Sequence, residues 1–396
     1  RSTLFPYTTL FRSDFGLRIS GSPWSRPRYR LTDAATARFN PYDPTQKPSF
    51  NLYFRSEWSE RPLDYPFFGD SPVTRFLDLR LRAGKNDIDN PFIKDELMRR
   101  LYRGTGQKSS IGIFNTVYVN GIFKGYFNLC ERLREGFMQE HHQSSEAWDV
   151  QQVNEFASGD PLHWNKMFAY LRSTNLAGLA AYQRVHDYLD VDNYADYIIV
   201  NAFAAMWDWP HNNWVAARER SPACRWRFYM WDAEGAFGIY GRPITYNTFT
   251  SDLLITDAQT TSWHYLQALY TLLRVSPEFR LRFSDRVQKH FFNGGTLVKT
   301  NMQVTYLQLR NTINPIMLET IGTPVNEEFY ITWIVSDTRR NNFFTQLTQQ
   351  GLWPATLAPV LSQYGGQIDA GFELALSNPN GRSEERRVGK ECRSRW

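Results

Sequence analysis

Two strand-like runs, GIFNTVYV (112–119) and IFKGYFNL (122–129), are separated by nothing but Asn120-Gly121. A two-residue type I′ turn needs positive φ at both central positions, which Asn and Gly tolerate and most residues do not, so this dipeptide between apolar runs predicts a tight hairpin. The chain is thereby committed to antiparallel sheet in its first third. KPSFNLYFR (47–55) and the alternating TRFLDLRLR (74–82) add strands to it. One helix is expected among them, PFIKDELMRRLYR (91–103), with Pro91 in its first turn and Phe92, Leu97 and Leu101 spaced toward one face.

Past residue 136 the pattern changes to helices, including 191–207, 277–292 and 304–321. Strands followed by helices predict an α+β, two-lobed architecture, with a strand-rich lobe over 14–135 and a helix-rich lobe over 136–381.

The two ends do not belong to that pattern. RSTLFPYTTLFRS (1–13) and RSEERRVGKECRS (382–394) can be encoded by opposite strands of one DNA segment, a relation that unrelated protein termini would not share. Residues 1–13 and 382–396 are therefore expected to be translated sequencing adaptor flanking a fragment of a natural gene. The head carries two arginines and the tail six Arg or Lys against three Glu, so the ends account for the formal charge of +5 and leave the body near neutrality. Nothing in that balance calls for a nucleic-acid or polyanion partner. Outside the tail the cysteines are Cys130 and Cys224, too few for a disulfide framework and without metal spacing; unlinked buried thiols are expected, with a single bridge between the two as the alternative. No apolar run approaches the ~20 residues of a membrane span.

Candidate chemistry concentrates in MWDWPHNNWVAARERSPACRWRFYMWDAEGAFG (206–238). The helix 191–207 runs into Asp208, and Pro210 forbids its continuation. Residues 209–214 then read as a loop containing Asn212 and Asn213. In 225–232, Trp226, Phe228 and Met230 alternate as a strand should, Asp232 closes the strand, and Gly235 and Gly238 mark a turn. Phosphoryl transfer from a nucleoside triphosphate uses parts in this order: an Asp for the hydroxyl proton, an Asn five residues later and a further Asp after a strand, the last two holding hard divalent cations through oxygen. Asp208, Asn213 and Asp232 match that spacing. The bland reading makes Asp208 a helix-ending hydrogen-bonding residue and the asparagines left-handed turn residues. The tryptophans read as core and wall, and His141, His142 and His211 lack a third ligand at zinc spacing.

Four blocks, LRLRAGKNDIDNPFIKDELMRRL (79–101), VYVNGIFKGYFNLCERL (117–133), DVDNYADYIIVNAFAAMWDWPHNNW (190–214) and WRFYMWDAEGAFG (226–238), resemble the CotH kinase family, atypical kinases of the spore coat and their relatives. The resemblance spans roughly 45–320. It implies a protein-kinase-like fold with an abbreviated ATP lobe, Mg²⁺ or another divalent cation with ATP as cofactors, and transfer of the γ-phosphate to Ser or Thr of a protein. By matching position Asp208 is the catalytic residue and Asn213 and Asp232 the metal ligands. Lys47 is the expected phosphate-side cation, although the family's usual pair of lysines before Ser-Phe reads Lys47-Pro48-Ser49-Phe50 here. Its helix partner is Asp95 or Glu96. Arg82 and Glu131 are expected to line the nucleotide cleft, with a surface ion pair as the alternative for Arg82, and 129–133 is expected to link the lobes beside the ligand. No G-x-G-x-x-G precedes the lysine strand. Two other function classes stay open: a kinase-like surface or partner-binding module with weak or no turnover, and a carbohydrate-active protein. The resemblance is compatible with an exported or cell-surface protein and leaves compartment, substrate and oligomeric state open.

If the ends are adaptor, no selection has fitted them to the body. Deleting 1–13 and 382–396 together is expected to leave the calorimetric melting temperature unchanged within error, and a large drop would refute this reading of the ends.

Overall fold

The expected hairpin forms the edge of a five-stranded antiparallel sheet. The computed structural model describes residues 13–21, 48–57, 62–69, 71–84, 92–153, 155–254, 265–320, 324–364 and 367–380. Its strands are β1 (Gly16–Ser20), β2 (Ser49–Tyr53), β3 (Leu63–Asp64), β4 (Arg75–Phe76), β5 (Asp78–Arg82), β6 (Gly112–Val119) and β7 (Ile122–Glu131), with the sheet order β1-β2-β5-β7-β6 and β3 paired to β4 beside it. Asn120 and Gly121 take φ of 51° and 77°, the two positive values that the turn requires. The turn sets Val119 opposite Ile122, and a bulge between Thr116 and Tyr118 then shifts the pairing by one residue, so that Gly112 faces Cys130. The alternation in 74–82 is broken at Leu77, which splits it into β4 and β5. Residues Phe50, Leu52, Leu79, Phe127 and Leu129 form one apolar face with Phe68 and Phe76 packed on it.

Helix α1 (Lys94–Gly104) connects β5 to β6. Pro91 lies outside the described residues, and Phe92, Leu97 and Leu101 are buried as their spacing predicts. Phe92, just ahead of the helix, meets Phe114 of β6 and Tyr126 of β7, while α1 itself packs on α5 (Val191–Phe203), on α8 (Lys299–Thr320) and on the turn at Ala233–Gly235. The remaining helices are α2 (Glu135–His142), α3 (Leu162–Ser173), α4 (Leu179–Gln183), α6 (Tyr265–Leu273), α7 (Pro277–Phe291) and α9 (Thr338–Gln349).

A second antiparallel sheet runs through the helical part, with β8 (Trp148–Gln152), β9 (Glu155–Ser158), β10 (Trp214–Glu219) and β11 (Arg227–Met230) in the order β11-β10-β8-β9. It has a core on each face. Trp214, Ala216, Trp226, Phe228 and Met230 face the large helical core, and Val150, Val215, Ala217 and Tyr229 face α2. Trp164 stacks on Trp214 at 5.9 Å and meets Trp226 edge-on at 4.8 Å, so these tryptophans are core, each such pair adding about 0.5–1.5 kcal/mol beyond its buried area. Cys130 and Cys224 are both free thiols.

α5 is fixed by polar groups as well as by packing. Asn193 behaves as a further strand neighbour of Phe228, its Oδ1 accepting the Phe228 N–H at 2.6 Å and its Nδ2 donating to the Phe228 carbonyl at 3.1 Å. One turn on, fully buried Asp196 accepts from Arg286 Nε (2.7 Å), His290 Nε2 (2.6 Å) and Gln107 Nε2 (2.7 Å). Burial pushes the Asp196 carboxyl up, but the hydrogen bonds from His290 and Arg286 outweigh it and hold the pKa below the usual carboxylate value. A depressed pKa gives stability that is present above the unfolded-state value, about 3.9, and is lost as pH falls through the folded one.

Asp196→Ala would leave Arg286 and His290 without their buried acceptor on α5, with only the partly exposed Asp192 carboxylate, 3.8 Å from Arg286 Nη1, still facing the guanidinium. Urea unfolding at neutral pH is expected to show a loss of about 3–5 kcal/mol, and a midpoint equal to wild type would show that the cluster does not hold α5 on α7.

Candidate active site

α5 ends at Phe203, four residues short of the expected end at Trp207. The reason lies in backbone pairing rather than in Pro210. Ala205 turns left-handed at φ 46°, Trp207 N–H donates to the Gly235 carbonyl at 2.8 Å, and Phe237 N–H donates to the Ala204 carbonyl at 2.8 Å. The chain leaving the helix is thus laced to the turn that follows β11, and the two motifs nominated from sequence lie side by side. Gly235 makes the approach possible, because a Cβ there would stand 2.8 Å from the Trp207 carbonyl oxygen.

Beyond this lacing Asp208 organises its own loop. Its carboxylate accepts from Asn212 Nδ2 at 3.0 Å and Asn213 Nδ2 at 3.3 Å and lies 3.1 Å from His211 Nε2. Asn213 directly precedes β10, where Trp214 pairs with Met230, so Asn213 and Asp232 leave the sheet at the same end. Asp208, Asn213 and Asp232 all adopt left-handed backbone, with φ of 56°, 56° and 52°. Of the eleven non-glycine residues with positive φ among those described, six fall within 205–240. Such conformations cost about 1–3 kcal/mol each and persist where the surroundings dictate them, so strain gathers at this loop pair.

Opposite lies a buried ionic cluster. Arg82, at the end of β5, is 7% exposed, and its Nη2 pairs with Asp232 Oδ1 and lies 3.4 Å from Glu234 Oε2. Its Nε lies 3.1 Å from Asp95 Oδ2 in the first turn of α1. Asp95 in turn accepts the Ala233 backbone N–H at 2.8 Å through Oδ1 and pairs with Arg99 at 3.1 Å through Oδ2. Burial alone would lower the Arg82 pKa, but Asp95, Asp232 and Glu234 raise it well above its ordinary value, so the guanidinium stays charged. Burial raises Asp95, and Arg82, Arg99 and the Ala233 N–H outweigh that and bring its pKa below the usual carboxylate value.

The sequence left Asp95 and Glu96 as equal candidates for the orienting acid. Glu96 turns to Arg99 (2.8 Å), Arg100 (3.0 Å) and Arg103 (3.3 Å), all on α1, whereas Asp95 reaches across to the Asp232 turn. Glu131 sits apart from this group. It is 4% exposed at the end of β7, where one oxygen accepts the Ile111 N–H at 2.9 Å and the other lies 2.8 Å from His141 Nε2. Lys47 lies outside the described residues. Glu234 was not anticipated from sequence, although its place two residues beyond Asp232, ahead of the turn glycine, is a signal that could have been read.

The three nominated side chains offer oxygen donors: the carboxylates of Asp208 and Asp232 and the amide of Asn213. Among the described residues no three carboxylate, imidazole or thiolate groups are gathered into a metal cage. Mg²⁺ is ordinarily held by one or two carboxylates, with phosphate oxygens and water completing its octahedron, and the residues present fit that pattern.

The family model described as CotH kinase protein matches residues 43–346. The chain belongs to the CotH kinase family. Among solved structures it is similar to the Helicobacter pylori proinflammatory kinase CtkA, with 10% identity and a TM-score of 0.25 over 76% of this chain and 89% of that one. Among curated proteins no sequence matches it.

In this CotH kinase family member, Asp95 is the acid placed to hold the Asp232 turn. Asp95→Asn is expected to speed hydrogen exchange at the Ala233 amide by about tenfold or more, since a 1.4 kcal/mol loss of local stability is tenfold and a charged partner contributes about 1.5–3. Glu96→Gln should leave that amide at its wild-type rate. Equal rates in all three proteins would remove Asp95 from this role.

Proposed function

We propose that this chain is an ATP-dependent protein Ser/Thr kinase of the CotH type, with 14–135 as its ATP lobe and 136–381 as its catalytic lobe. The observation that supports the reading is the placement of Asn213 and Asp232 at one end of the β10–β11 pair, with Asp208 hydrogen-bonded to Asn213 and its approach laced to the Asp232 turn. Family membership supplies the reaction class, which is kinase-like. ATP, a divalent cation and a protein acceptor are parts of the proposal.

In this reading Asp208 receives the proton of the acceptor hydroxyl as its oxygen forms a bond to the γ-phosphorus and the bond to the β-phosphate oxygen breaks. The hydrogen bonds from Asn212 and Asn213 aim the carboxylate. Asn213 and Asp232 would hold the divalent cation, which when bound neutralises phosphate charge in the transition state. Asp95 fixes the Asp232 turn through the Ala233 N–H. Arg82 supplies positive charge on the nucleotide side, with Lys47 as a second cation there. Glu131 shapes the junction segment 129–133 through its links to Ile111 and His141.

The test is γ-phosphate transfer to a Ser/Thr-rich protein or to the enzyme itself, alongside Mg-ATP titration of each variant. Asp232→Asn removes a formal charge from the metal side and should weaken both binding and turnover. Asp208→Asn should leave Mg-ATP binding largely intact while turnover falls by about 10²–10⁴-fold, the usual contribution of a positioned general base. Asn213→Ala should behave as Asp232→Asn does, with a smaller binding loss because a neutral ligand is removed. Wild-type activity in Asp232→Asn would defeat the kinase reading. Mg-ATP binding to wild type without transfer would favour a kinase-like binding module.

A further inference from the structure

The guanidinium of Arg82 stands where charge balance requires a cation. Asp232 and Glu234 are two residues apart, and their Oδ1 and Oε2 both turn to the same Arg82 Nη2. Two like charges that close repel each other, and a cation between them offsets the repulsion. Glu234 is buried, while the Asp232 side chain is 35% exposed to solvent. Arg82 therefore meets, from inside the protein, a carboxylate that solvent reaches.

The other end of the guanidinium is held differently. Arg82 Nε is 3.1 Å from Asp95 Oδ2, but its N–H is not aligned on that oxygen and finds no hydrogen-bond acceptor, although it is buried. Charge, rather than a fixed two-pronged hydrogen bond, keeps it there. Asp95 itself is anchored independently by the Ala233 N–H and by Arg99. A side chain tied at one end by undirected attraction can swing its Nη end without breaking the tie. Phosphate oxygens suit that swing, because an arginine fork matches phosphate geometry with two donors.

We propose that Arg82 is a resident counter-cation of the metal position. In the nucleotide-free protein it neutralises Asp232 and Glu234; when metal and nucleotide enter together, its Nη end passes to the phosphates, and Glu234 becomes, with Asp232, a carboxylate facing the metal. Charge balances in the exchange: the carboxylates trade a +1 group for a +2 ion, and the released guanidinium meets the phosphate anion that came with the metal. The inference rests on the metal role proposed above for Asp232 and adds Glu234 as a further positioning carboxylate. Its consequence is that a divalent cation without nucleotide must compete with Arg82, so metal and nucleotide bind cooperatively.

Mn²⁺ binding, followed by electron paramagnetic resonance with and without ADP, reads this without turnover. Wild type should bind Mn²⁺ weakly by itself and at least about tenfold more tightly with saturating ADP. Arg82→Gln should bind nucleotide-free Mn²⁺ about tenfold or more tighter than wild type, since a unit charge at contact distance is removed. Adding Glu234→Gln to that variant should cancel most of the gain. Unchanged or weaker Mn²⁺ binding by folded Arg82→Gln would overturn the proposal, and full retention of the gain in the double variant would overturn the role of Glu234.

Arg82→Gln uncovers buried carboxylates, so a second measurement uses wild type. In ¹⁵N-arginine-labelled protein the Arg82 Nη resonances should shift with Mg-ADP and stay in place with Mg²⁺ alone at the same concentration. A guanidinium spectrum that saturating Mg-ADP leaves unmoved would also overturn it. Absence of any Mn-ADP binding to wild type would count against the kinase reading itself, a result distinct from binding that is insensitive to residue 82.

Discussion

The candidate site depends on one guanidinium. Arg82 ends a strand of the first sheet, Asp95 begins the helix that follows it, and Asp232 and Glu234 belong to a turn roughly 150 residues later, as the sequence separations of 150 and 152 for the two contacts with Arg82 record. Burying such a cluster is expensive in itself, since each ion gives up hydration worth several kcal/mol, and a hydrophobic replacement of similar volume is often as stable. Stability is therefore a poor explanation for having it. What the cluster does provide is a fixed relation between α1 and the Asp232 turn, because removing any one member leaves the others buried with unbalanced charge. A small displacement of α1 is felt at Asp232 through Asp95 and the Ala233 N–H.

The opposite wall is placed by α5 with different means. Asn193 and Asp196 lie one turn apart on it, the first clasping Phe228 in β11 and the second holding Arg286 and His290 in α7. Helix, strand and neighbouring helix are thereby locked in register before the chain reaches Asp208. The backbone exchange between 204–207 and 235–237 then fixes the exit of α5 against the turn that carries Asp232. Two independent polar systems converge on the same loop pair, which is why left-handed conformations can be sustained there.

Much of this was legible, and the parts that were not have physical reasons. The hairpin at Asn120-Gly121 was readable because turn chemistry is local. Phe228 and Met230 were readable as one strand face, with Trp226 just ahead of it, because the residues between them, half-buried Arg227 and the phenol of Tyr229, are polar-tipped; the strand itself is the shorter Arg227–Met230 and stops two residues before Asp232. β10, in the same sheet, went unread: Trp214 to Ala217 are buried on both faces, so WVAARE shows no alternation. The end of α5 was misplaced because Pro210 was the visible stop signal, whereas the actual stop is pairing with a turn some thirty residues on, which no local pattern encodes. Which of Asp95 and Glu96 partners Lys47 stays open, since Lys47 lies outside the described residues; what no local pattern could show is that, of two acids in the first turn of α1, Asp95 alone reaches the Ala233 N–H.

The bland account of Asp208, as a residue that ends a helix by capping it, can now be weighed against the chemical one. The last turn of α5 is closed by the backbone N–H groups of Ala204, Ala205 and Met206, which donate to Val200, Ala202 and Asn201, and Asp208 takes no part in it. Its donors come from the other side, from Asn212 and Asn213, downstream in the loop. A carboxylate with two oxygens has room for about four hydrogen bonds. Asp208 gives part of that capacity to its own loop and keeps its side chain 30% exposed, so it remains open to a further donor from the cleft. An acid spent wholly on loop structure gains nothing from that exposure. In the role proposed for it, receiving a proton from an incoming hydroxyl, Asp208 would use both features: neighbours that aim it, and an oxygen open to solvent.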